Sequence, residues 1–190
     1  MNNAQNCQHN NSLNPGHKRF VKDDFVIFDC PICEHRYTKI EKDLHTHLSS
    51  TYSDHYFSGR ENGYPDYFLE KDILVEHGSQ YAKILWKYKN TGKILDIGCA
   101  SGFVLKGFVN NGWEGSGVEP NTSMVNYGRS ELNLNIHNTS FEEFETAEKF
   151  DVISMIQVIG HFYDLDKAIE KSYKFLNHNG LLLVESWDMN

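Results

Sequence analysis

From Gly92 onward, apolar runs and helical periodicities alternate along the chain. Lys93–Ile97 (KILDI) reads as a buried strand. Ser101–Asn111 reads as a helix that turns Phe103, Val104, Phe108 and Val109 inward, and Gly115–Glu119 as a second, short strand. Asn121–Leu132 predicts a helix with Asn121 as its N-cap, Leu134–His137 a third strand and Phe150–Met155 a fourth. Asp164–Leu176 predicts a helix capped by Asp164, with Leu165, Ala168, Ile169 and Leu176 inward. Asn177-His178-Asn179-Gly180 then predicts a turn and Leu181–Glu185 a fifth strand. Alternation of this kind implies an α/β fold, a mostly parallel sheet covered by helices on both faces. Such sheets bind ligands outside the carboxyl ends of their strands, where the strand order switches.

The first half is patterned differently. Between Pro65 and Lys89 apolar positions fall near a 3.6 period, at Phe68, Ile73, Leu74, His77, Tyr81, Ile84, Leu85 and Tyr88, and Asn90-Thr91-Gly92 ends the run. Pro65 suits a first helical turn, where its missing N–H costs nothing. Residues 52–68 are crowded with rings, Tyr52, Tyr56, Phe57, Tyr64, Tyr67 and Phe68. Further upstream Phe25–Asp29 predicts a strand leading into Cys30-Pro31-Ile32-Cys33, and the first 14 residues are rich in Asn and Gln. Three regions result: a head (1–50), an aromatic connector with its helix (51–91) and an α/β domain (92–190).

Composition narrows the partners. The 190 residues carry a formal charge of -8, so no global field draws the chain to nucleic acid or to an anionic membrane. No apolar run approaches the roughly 18 residues of a spanning helix, and Met1-Asn2-Asn3-Ala4-Gln5-Asn6 lacks the features of a signal peptide. A cytoplasmic location is the expectation. Without an export signal, the four cysteines (Cys7, Cys30, Cys33 and Cys99) point to metal binding or packing rather than to disulfides.

The most informative stretch is Asp96-Ile97-Gly98-Cys99-Ala100-Ser101-Gly102, between the first strand and its helix. Gly98 allows a tight turn and Gly102 a close approach of helix and ligand. Glu119 stands at the end of the second strand, where a carboxylate can take both hydroxyls of a ribose. A nicotinamide cofactor would want G-x-G-x-x-G and room for a pyrophosphate. Here Ala100 breaks that pattern, and Asp96 would repel a pyrophosphate. A phosphate-free cationic tail fits better, and S-adenosylmethionine has one.

Three segments carry a resemblance: KILDIGCASG, GWEGSGVEPN and FDVISMIQVIGHFYDLDKAIEKSYKFLNHNGLLLVE. Together, residues 92–186 resemble a class I S-adenosylmethionine-dependent methyltransferase. The resemblance implies a Rossmann-like doubly wound sheet with five of the family's seven strands present. It implies that Asp96, Gly98, Cys99, Ala100 and Gly102 surround the methionine part of the cofactor and that Glu119 holds the ribose. Pro120, Asn121 and Met124 would lie along the adenine edge, Ser140, Phe141 and Glu142 at its far side, and Gln157 and Val158 beside the methyl group. Tyr56 and Tyr64 would be lid residues, although these rings could equally pack the long helix against the sheet. Cys99 reads as a small loop residue rather than a nucleophile.

Methyl transfer needs a base only when the acceptor must lose a proton. His161 is the candidate base. Many relatives carry Glu-His where this chain has Gly160-His161, so the imidazole lacks the carboxylate that could orient it, and polar packing at a helix start is the competing reading. In the head, Cys30-Pro31-Ile32-Cys33 looks like one knuckle of a zinc ribbon. Cys7 with His9 (or with His17) would complete four ligands, the alternative being a degenerate ribbon that packs without metal. The family's last two strands are absent, so the Leu181–Val184 strand would be an open edge. Either the sequence is a piece of a longer protein or another chain covers that strand. The expected activity is methyl transfer to a small-molecule or carbohydrate-type acceptor. The alternatives are a non-catalytic cofactor- or partner-binding module and a nicotinamide-dependent reductase.

Overall fold

A computed structural model describes residues 16–22, 25–38, 43–57 and 66–186. The head contains β1 (His17–Lys22), β2 (Phe25–Asp29) and β3 (Arg36–Thr38), antiparallel in the order β1-β2-β3. The predicted strand before the Cys30–Cys33 turn is therefore the centre of a small sheet. Helices α1 (Leu44–Thr51) and α2 (Asp54–Phe57) follow, then a 3-10 turn over Tyr67–Glu70 that runs into α3 (Lys71–Leu85).

The α/β unit runs β4 (Lys93–Ile97), α4 (Phe103–Asn110), β5 (Glu114–Glu119), α5 (Thr122–Leu132), β6 (Asn135–Asn138), β7 (Phe150–Ile156), α6 (Leu165–Phe175) and β8 (Leu176–Glu185). Its sheet has the order β6-β5-β4-β7-β8 and every pair is parallel. The chain steps outward from β4 to β6, then returns across β4 to lay down β7 and β8, so the order reverses beside the carboxyl end of β4. The strands alternate their side chains between two cores. Ile94 and Val152 pack with Phe103, Leu105, Phe108 and Val125 on one face, and Leu95, Ile97, Ile153 and Met155 pack with Phe141, Phe162 and Phe175 on the other. Both predicted caps form: Asn121 Oδ1 accepts the Met124 N–H at 3.0 Å and Asp164 Oδ1 accepts that of Lys167 at 3.0 Å.

Three details differ from the sequence expectations. On α3 the face turned to the protein carries Gly78, Ala82 and Leu85, while Ile73, Ile84, His77 and Tyr88 are exposed. The cause is a close helix crossing. A Cβ on Gly78 would lie 2.1 Å from the Val104 carbonyl oxygen, and one on Gly107 would lie 2.3 Å from that of Val75. Small residues let the backbones of α3 and α4 touch, which a stripe of large side chains would prevent. On α6, Ile169 is exposed and Ser172 is buried instead, its hydroxyl donating to the Ala168 carbonyl at 2.8 Å. Asn177–Gly180 does not separate helix from strand but lies inside β8. The register slips there, from Phe150↔Leu176 to Val152↔Leu181, with Asn179 at φ 60. β8 is the edge strand of the sheet among the described residues, and Leu182 and Val184 are exposed on it. No helix among the described residues is long and apolar enough to cross a membrane.

Candidate functional site

The site is built where β4 and β5 end side by side, with Asp96 paired to Gly117 and Ile97 to Val118. The loop after β4 turns back on β5, and the Gly98 N–H donates to the Val118 carbonyl at 2.8 Å. Gly98 (φ 67), Ala100 (φ 48) and Gly102 (φ 83) are left-handed. At Gly98 space is closed as well, since a Cβ would lie 2.5 Å from Val158 Cγ2. Gly98 therefore brings the loop against the segment after β7.

Two carboxylates meet this loop from below. Asp96 is 2% exposed and accepts the Ser154 hydroxyl of β7 at 2.7 Å. Glu119 is 4% exposed. Its Oε2 accepts the Ala100 N–H at 3.0 Å and its Oε1 the Asn121 N–H at 2.8 Å, so Glu119 points at the glycine loop. Burial pushes both carboxyls up to about 7, and the charge of Glu119 adds to the rise at Asp96. Among the described residues no lysine or arginine pairs with either one. The Ser101 hydroxyl, buried in the same loop, has no hydrogen-bond partner among the described residues. Two buried carboxyls beside this loop, without a cationic side chain to pair them, suit a cation and oppose a pyrophosphate.

The other sequence-predicted residues separate into groups. Pro120, Asn121 and Ser140 line a polar cleft of about 570 Å³, roofed by Tyr52 and Asp54. Met124 and Phe141 are core residues, 4% and 3% exposed. Cys99 is buried, and its thiol is pushed well above the usual range, mainly by burial, so it is no nucleophile. Its Sγ would lie 2.4 Å from a Cβ on Gly117, so it fills the groove beside β5. Glu142 accepts the Tyr163 N–H at 3.0 Å. Gln157 is held at φ 56, with Nε2 2.5 Å from Glu185 Oε1 and its backbone N–H donating to the Glu185 carbonyl at 2.8 Å. His161 ends a 3-10 turn, Ile159–His161, and its imidazole is lowered from its ordinary pKa by burial and, less, by His47. Tyr56 meets it edge-on, with ring centroids 6.4 Å apart.

Three contributors were missed. Ser154 is the lone hydroxyl in the buried run FDVISMI, and that interruption was its signal. Tyr52, not Tyr56, makes the closer ring contact with His161, with centroids 5.2 Å apart and planes 15° from parallel. Glu185, which also accepts the Tyr81 hydroxyl at 2.7 Å, had no local signal. Tyr64, Cys7 and His9 lie outside the described residues. In the head Cys30 is buried and Cys33 exposed. No group of three or more His, Cys, Asp or Glu side chains that could hold a metal occurs among the described residues.

The family model described as "Methyltransferase domain" matches residues 74–190. The chain belongs to this methyltransferase family. A ubiquinone biosynthesis O-methyltransferase of Bradyrhizobium diazoefficiens is 27% identical over 103 residues, covering 52% of this chain and 41% of that protein. Its counterpart from Azorhizobium caulinodans is 27% identical over 122 residues, covering 61% and 48%. The chain thus spans less than half the length of these two relatives. Among solved structures, the S-adenosylmethionine-bound amino pentose methyltransferase CalS10 of Micromonospora echinaspora superposes with a TM-score of 0.58. It is 18% identical and covers 68% of this chain and 60% of that one. DesVI of Streptomyces venezuelae gives 0.57 at 21% identity, covering 64% and 54%. These two share the fold with the methyltransferase unit described above.

Proposed function

We propose that the chain binds S-adenosylmethionine and directs its methyl group to a small-molecule or carbohydrate-type acceptor. The observation that carries this reading is the pair of buried carboxyls, Asp96 and Glu119, at the ends of neighbouring parallel strands and joined by the glycine loop. The cofactor, when bound, supplies a methyl carbon already activated by its sulfonium. Asp96 and the loop amides would hold the amino-acid tail. Glu119 would exchange its two backbone partners for the ribose hydroxyls, and Pro120, Asn121 and Ser140 would border the base. Val158 and the strained Gln157 close the other side of the loop and exclude water there. His161, kept neutral by burial, can take a proton from a hydroxyl or ammonium acceptor. The likeness to a ubiquinone biosynthesis O-methyltransferase supports an oxygen acceptor, and that to an amino pentose methyltransferase a carbohydrate-type one.

Calorimetry with S-adenosylhomocysteine tests the reading. Glu119→Ala and Asp96→Ala should each weaken binding by about tenfold to a hundredfold, the range expected for lost charge-assisted hydrogen bonds. Unchanged affinity in both variants would remove the assigned site.

The head is proposed to hold one zinc through Cys30 and Cys33, completed by Cys7 and His9. Two features support it. The two cysteines border a tight turn after β2, and Cys30 Sγ accepts the Ile32 N–H at 3.4 Å, a contact that favours a thiolate. Purified protein should contain about one zinc per chain, lost in Cys30→Ser, and a folded head without metal would end this part of the proposal.

A further inference from the structure

The residue before His161 is Gly160, which has no side chain, and a Cβ there would meet nothing within 4 Å. The imidazole of His161 nevertheless has a defined surround. Its face lies on Tyr52, with ring centroids 5.2 Å apart and planes 15° from parallel, and Tyr56 meets it edge-on at 6.4 Å. Tyr52 and Tyr56 pack edge to face at 5.6 Å, and His47 meets Tyr52 edge-on at 5.9 Å. Tyr52 is also tied down by its backbone. Its carbonyl accepts the Asn121 side-chain amide at 3.1 Å. Two residues on, Asp54 accepts the same amide at 3.0 Å and the Ser123 hydroxyl at 3.1 Å. The segment from α1 to α2 is therefore a strap, fastened at one end to the start of α5 and resting at the other on His161.

The geometry points to Tyr52 as a positioning residue for His161: its ring, anchored through Asn121 and Asp54, fixes the plane of the imidazole at the mouth of the carboxylate site. An aromatic stack does here what a carboxylate would do by hydrogen bonding. A stack sets the tilt of the ring without adding charge beside it, so the imidazole stays an uncharged proton acceptor. The inference rests on the proposed function, because it gives His161 a reacting partner to face.

Nuclear magnetic resonance on the full chain tests it. Without ligand, the His161 ring protons carry the ring-current displacement of a stacked phenol. Tyr52→Phe keeps the displacement and Tyr52→Leu, which retains bulk but no π face, loses it. Asp54→Ala leaves both rings but loosens the anchor, and loses part of it. With S-adenosylmethionine labelled at the methyl carbon, a through-space contact from that methyl to the His161 ring is expected in the native chain and in Tyr52→Phe. It drops severalfold in Tyr52→Leu, compared with the native chain at saturating cofactor. A native chain that binds no S-adenosylmethionine sinks the proposed function. A contact equally strong in saturated Tyr52→Leu overturns the positioning role alone.

Discussion

The deep wall of the site and its rim are built by different means. Asp96 and Glu119 sit on adjacent strands, nearly inaccessible, each held by hydrogen bonds from backbone or from a neighbouring strand. Tyr52, Tyr56 and His161 sit at the ends of short helical pieces, half-buried and held mainly by ring contacts. A parallel sheet cannot shift one strand without breaking a ladder, so it fixes charges where an error of position is costly. The rim rings are instead set by side-chain bonds from Asn121 and Ser123 to the Tyr52–Asp54 segment and by ring contacts, with no strand ladder behind them.

The contrast can be broken most strongly at Gly98. Gly98→Val puts a branched side chain at φ 67 and into Val158. Strain and overpacking should together cost about 2–5 kcal/mol in denaturant unfolding and abolish cofactor binding. Pairing it with Val158→Ala should recover the overpacking share only.

The next effect is a pH dependence carried mainly by the wall, with the lowered imidazole of His161 acting in the opposite sense. Both carboxyls stand at about 7 when folded, above their ordinary 3.8 and 4.5. Between those limits the folded chain holds protons that the unfolded chain has released. Stability without ligand should therefore fall as pH rises from about 4 through 7. A cationic tail favours the ionised forms, so affinity for S-adenosylmethionine should rise over the upper part of that window, with proton release visible as calorimetric heats that depend on the buffer. Affinity that is flat between pH 6 and pH 8 would contradict the burial of the pair.

The smallest effect belongs to the rim. Asp54→Ala removes two neutral-donor hydrogen bonds at an exposed position and should cost no more than about 1 kcal/mol of stability. A larger loss would mean that the strap is part of the fold rather than a movable cover.

Legibility in the sequence followed the same division. The wall was readable because its requirements are local: a turn that needs left-handed residues, an acid at a strand end, a cap at Asn121. The helix contact was misread at Ile73 and Ile84 because periodicity counts bulk, whereas Gly78 and Gly107 win that face by being small. The turn at Asn177–Gly180 had the right residues for a reversal, but β7 pairs with the chain on either side of it, and the tertiary partner prevailed. Tyr52 stood out only as one ring in the crowd over residues 52–68, and nothing local set it apart from Tyr56 or Tyr64. Its role comes from Asn121, 69 residues away in the chain.

The contact between Gly78 and Gly107 also sets what this lineage can change. With carbonyl oxygens about 2 Å from where any methyl would go, neither site admits even alanine without moving a helix. Ile73, His77 and Ile84, on the outer side of α3, can by contrast drift freely in size. Sequence variation sampled across a library of functional variants should therefore vanish at two points on α3 and α4 that never approach the reaction, and stay broad within a single turn of them.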